Sequence, residues 1–235
     1  MHPIKKAARI AGLLYLFVVL AGPFVLLYVP GKLFVRGDAT ATASNILAHE
    51  TLFRAHIVVS LVVELFFIAT VLALYRLLRD VNFEVAALMV ILILIDAPLA
   101  FLGVANEVAT LALLRGPDFL AAFDPAQRDA LALLLIQFDR LGVYVSEIFW
   151  GLWLLPLGWL VYRSGFLPRF LGGWLFVNGL AYLVIGSTGM LWPQHVERVF
   201  ELSTPVLFAE VALMLWLLIV GARVPSSGAA APRSV

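Results

Sequence analysis

An all-α bundle of six membrane-spanning helices is the fold this sequence predicts. Two observations predict it: the balance of apolar to charged residues, and the length of the apolar runs. Apolar residues make up 63% of the 235 and charged residues only 13%, with a mean hydropathy of +1.02. A soluble domain is nearer half apolar and a quarter charged. The apolar residues also fall in runs of about twenty or more, enough to cross a hydrocarbon core ~30 Å thick at ~1.5 Å per helical residue.

Polar punctuation places the spans. The first, about 10–29, follows Lys5, Lys6 and Arg9 and is too long for the apolar core of a cleaved signal peptide. A loop with Gly31, Gly37 and Asp38 comes next, then a short polar helix from Ala39 to about Glu50 with Asp38 as its N-cap, and a second span at 52–78. The third covers 85–114 and the fourth 131–161, the latter introduced by Asp124 as N-cap and Pro125 in the first turn. The fifth, 170–191, follows the turn from Arg163 to Arg169. After Trp192 and Pro193 a short amphipathic stretch with Val196, Val199, Phe200 and Ser203 at helical spacing is expected to lie in the membrane interface. The sixth span, 206–222, completes a single domain over 1–222, and a Ser, Gly, Ala and Pro tail at 223–235 is expected to be a disordered cytoplasmic segment. The short interfacial helices fall in the external loops.

Charge sets the orientation. With both ends inside, the cytoplasmic segments hold nine Lys and Arg and the external ones six, which is the bias that cytoplasmic loops carry. A formal net charge of +1, with basic residues scattered singly at helix ends, argues against nucleic acid as a partner. The absence of cysteine removes disulfides, thiolate metal sites and cysteine nucleophiles.

Ionisable residues inside the spans carry the functional signal, because a charge in lipid costs ~2.5–3.5 kcal/mol on insertion scales. Counted from the cytoplasmic helix ends, Glu64 and Asp96 lie ~18 Å deep, Glu210 ~20 Å and Glu147 ~24 Å, one layer near the middle of the membrane. Glu107, Asp139, Arg140 and His56 fall at ~30–36 Å and are expected to form an outer mouth. Arg140, Tyr144, Glu147 and Gly151 share one helical stripe, and Trp150, one turn from Glu147, is placed to cage an organic cation or simply to fill the helix packing. A salt bridge from the Asp139–Arg140 pair to Glu107 or Glu147 is the structural alternative for the mouth. Ser60 and Ser146 have no base positioned by the sequence, and the histidines show no paired metal-ligand spacing within a span, so no catalytic residue or cofactor is assigned and a metal is left open.

The run from Ala8 to Leu16 (ARIAGLLYL), and above all the run from Ile148 to Arg169 (IFWGLWLLPLGWLVYRSGFLPR), resemble the bacterial membrane family known as domain of unknown function 4386. The likeness extends from Lys5 to about Gly221 and implies a small multi-pass protein of the bacterial inner membrane that stands alone. It brings no activity and no site residues with it. Three classes of function stay open: a binder or carrier of a proton, metal cation or small organic cation in an acid-lined cavity; a structural or regulatory membrane partner without a ligand; and an intramembrane enzyme acting on a lipid-like substrate. The bilayer is the one partner common to all three, and oligomeric state is not legible.

Overall fold

The computed structural model describes residues 2–223, all of whose long elements are helices. Helix α1 (Pro3–Pro23) runs through a π-helical turn (Phe24–Tyr28) into α2 (Val29–Leu33), giving one span of 31 residues. Pro23 and Pro30 each lack the N–H an α-helix would use, and the wider turn between them absorbs the mismatch. Helix α3 (Ala39–Ala48) is the short loop helix. The remaining spans are α4 (Glu50–Leu78), α5 (Phe83–Arg115), α6 (Pro125–Arg163), α7 (Arg169–Leu191) and α8 (Val196–Ile219).

Caps fall where the side chains can supply them. Asp38 accepts from the Ala41 amide at 2.8 Å, and Asp124 and Gln127 form a reciprocal capping box at 2.8 and 3.0 Å ahead of Pro125. The amphipathic stretch after Pro193 is not a separate element. Its residues form the first two turns of α8, which passes Pro205 without a break, Thr204 returning its hydroxyl to the Phe200 carbonyl at 2.9 Å. The tail expected from 223 lies outside the described residues apart from Arg223, whose amide bonds the Phe166 carbonyl at 3.0 Å.

Each span packs on the next in sequence, and α8 closes onto α1, so the six make a ring. The loops at 79–82 and 164–168 share one side with Pro3 and Arg223, called here the short-loop side; the loops at 34–49, 116–124 and 192–195 lie on the other. The tightest contact is α6 on α7. A Cβ at Gly158 would stand 2.7 Å from the Gly172 carbonyl, one at Gly151 2.7 Å from that of Gly179, so two glycine pairs let the backbones touch. Apolar side chains from all six spans fill the short-loop half of the ring, among them Tyr15, Leu74, Met89, Trp153, Leu175 and Leu213. A second apolar cluster sits at the other end, where Ala43 and Ile46 of α3 pack down on Val29, Leu33, Phe53, Leu111, Leu114 and Ala132.

Candidate functional site

Between the two apolar layers the helices turn polar side chains inward. On α4, His56, Ser60 and Glu64 follow one another at steps of four and share a face. On α5, Asp96, Gly103 and Glu107 are seven and four apart; on α6, Asp139, Ser146 and Trp150 repeat that spacing. These three stripes meet at two levels.

The deeper level is built on Asp96, which is 1% exposed. The Trp150 indole N–H donates to its Oδ2 at 3.0 Å, the Ser146 hydroxyl faces it, and the Glu64 carboxyl lies beside it. Among the described residues, neither Glu64 Oε1 nor Asp96 Oδ1 has a hydrogen-bond partner, and no Lys or Arg forms an ion pair with either. Across the ring Glu210 is held differently. The Tyr15 hydroxyl donates to its Oε2, the Asn178 amide donates to its Oε1 at 3.2 Å, and the Tyr182 phenol faces it. Glu147 sits between the two groups, its Cβ against Gly186 and its carboxyl near Tyr182, with Oε2 unpartnered. An edge-to-face contact of Trp150 with Tyr182, 5.9 Å between centroids, joins the Asp96 side to the Glu210 side. The four acids therefore share a layer but occupy separate places in it: a pair, a fully hydrogen-bonded acid, and one between. Trp150, placed by the sequence either to cage an organic cation or to fill the helix packing, gives its N–H to Asp96 and an edge-to-face contact to Tyr182.

At the upper level His56 Nε2 lies 2.7 Å from Glu107 Oε1, and Asp139 faces both. Gly103 makes room for Asp139, since a Cβ there would stand 2.7 Å from its Oδ1. This level, expected from the sequence as an outer mouth, is closed over at His56. His56 is 3% exposed, the Phe53 ring stacks on it, and the α3 cluster covers it. Read as a polar helix, α3 gave no sign that Ala43 and Ile46 would face inward.

Arg140 does not belong to the cluster. It is exposed and donates to Gln137, because one residue beyond Asp139 is ~100° around the helix. No ion pair from Arg140 to Glu107 or Glu147 forms. Tyr144 packs against Gly189, so the stripe of Tyr144, Glu147 and Gly151 is the face α6 presents to α7. Sequence reasoning missed Tyr15, Tyr182 and the place of Ser60, whose Oγ is buried without a hydrogen-bond partner on the face it shares with His56 and Glu64. The signal for Ser60 was its phase with His56 and Glu64; Tyr15 and Tyr182 carried none, because their place depends on which helices are neighbours. Among the described residues, no three His, Asp or Glu side chains gather closely enough to hold a metal ion.

A ring of six apolar spans around a two-level polar interior defines a multi-pass α-helical membrane protein. The chain belongs to the family described as domain of unknown function DUF4386, which it matches over residues 10–221. It is also similar to an uncharacterized protein of Archaeoglobus fulgidus, 30% identical over 79 residues, which cover 34% of this chain and 46% of that protein. The chain thus matches under half the length of that relative. No solved structure matches it.

Proposed function

We propose that this protein binds a proton or a small cation at the Glu64–Asp96 pair within the membrane. The observation that carries this is two buried carboxyls on facing helices, Glu64 and Asp96, each with an oxygen that has no hydrogen-bond partner, and no ion pair from a Lys or Arg to either among the described residues. Two carboxylates that feel each other's charge in a low-dielectric interior favour the uptake of a proton or a cation. A metal is the less favoured occupant, given the lack of a three-residue donor set. The His56–Ser60–Glu64 face supplies a line of exchangeable groups from the upper cluster to the pair, at ~6 Å per step. On the short-loop side the apolar filling offers no continuation, which favours a binder or sensor over a channel.

Trp150 is a built-in reporter, since its indole is bonded to Asp96. In detergent, the emission that Trp150→Phe removes is expected to change between mildly acidic and mildly alkaline solution, or on adding an alkylammonium ion, and Asp96→Asn is expected to abolish the change. A Trp150 signal indifferent to pH and cations, or unchanged by Asp96→Asn, overturns the proposal. A second reading, acids that serve packing alone, is favoured for Glu210, whose two oxygens are both hydrogen-bonded.

We place the protein in the bacterial inner membrane with both ends cytoplasmic, on the support of the Lys and Arg bias of nine to six. A reporter active only in the cytoplasm should then work after Arg223, and one active only outside should work near Asp118; the reverse pattern refutes the orientation.

A further inference from the structure

A second site lies on the membrane-facing surface, remote from the carboxyl pair. Phe170 and Leu171 in the first turn of α7 and Ala212, Leu215, Trp216, Ile219 and Val220 of α8 line an apolar groove of about 270 Å³. It begins at the short-loop boundary and runs down α8 for eight residues, ~12 Å, the direction an acyl chain takes from the headgroup level into the membrane. Phe170 and Ile219 on its walls are well exposed, and the Phe170 and Trp216 rings meet edge to face at 6.5 Å.

The rim is basic. Arg169 immediately precedes Phe170, its guanidinium lying 5.7 Å over the Tyr162 ring at the end of α6, and Arg223 follows Val220 by three residues, its amide tied to Phe166 in the turn before α7; both are exposed residues. The backbone of Lys5 lies beside Gly221. Helix α7 starts at Arg169 with no side-chain cap, so the positive end of its dipole adds to the same spot. Asp80 and Glu84, the acids of this side, belong to the α4–α5 turn and not to the rim.

We infer that this groove is a site for an anionic phospholipid, its phosphate at Arg169, Arg223 and the start of α7 and one acyl chain along Trp216. Apolar depth alone would accept any lipid; the cationic rim selects the anionic one, because each Lys or Arg at a membrane surface favours anionic lipid by ~1 kcal/mol.

The test uses the full-length protein in neutral detergent, with phosphatidylglycerol carrying brominated acyl chains as quencher of Trp216, read as the emission difference from Trp216→Phe. Phosphatidylglycerol is expected to quench Trp216 at concentrations where brominated phosphatidylcholine does not. The double variant Arg169→Gln/Arg223→Gln should weaken the effect roughly thirtyfold, equivalent to ~1 kcal/mol per arginine. Ala212→Phe should abolish quenching by filling the groove, and if it fails to fold the surface arginine variant still decides. Equal quenching by both lipids, or an unchanged response in the arginine variant, overturns the inference. So does protection of Trp216 by soluble glycerol phosphate without an acyl chain, which would make the site one for a free phosphate. Quenching that appears only in a chain ended after Arg223 would make residues 224–235 the occupant and overturn it as well.

Discussion

Replacing Gly172 by Ala tests whether α6 and α7 touch backbone to backbone. A Cβ at Gly172 would lie 2.6 Å from both the Gly158 carbonyl oxygen and the Tyr162 nitrogen. Ordinary carbon-to-oxygen contacts are ~3.3–3.6 Å, so the helices must part by roughly 0.7 Å or distort locally. Overpacking of this kind costs ~1–3 kcal/mol. Ala is itself favoured over Gly in a helix by ~1 kcal/mol, which masks part of the loss. The neighbouring residue separates the two effects: a Cβ at Gly173 would meet nothing within 4 Å, so Gly173→Ala retains the helix gain without the clash. The difference between the two variants, measured by reversible unfolding in mixed detergent micelles, should therefore be ~1–3 kcal/mol with Gly172→Ala the less stable. If Gly172→Ala proves as stable as Gly173→Ala, the close α6–α7 contact is wrong, and with it the orientation of Glu147 and Trp150 toward the interior.

Two further outcomes follow from named contacts. Glu107→Leu removes the carboxylate 2.7 Å from the buried His56 Nε2, leaving Asp139 as the acid that faces the imidazole, and should lower stability by ~1–3 kcal/mol, as thermal unfolding in detergent would show. Asp124→Ala removes the capping box and should cost about 1 kcal/mol, with faster amide exchange at Gln127 and Arg128 than elsewhere in α6.

The six spans, their antiparallel order and the caps at Asp38 and Asp124 were all legible along the chain. These depend on run length, on rise per residue and on a side chain bonding an amide two or three residues ahead, so no distant contact enters. Even the shared face of His56, Ser60 and Glu64 is a matter of local phase. Which acids become neighbours is not local. Asp96 meets Trp150 from 54 residues away because α5 packs on α6, and Glu210 meets Tyr15 from 195 away because α8 closes the ring onto α1. The covering of His56 is likewise a tertiary result: α3 buries Ala43 and Ile46 because the ends of four spans offer them an apolar floor, and an isolated ten-residue helix has no reason to choose that face.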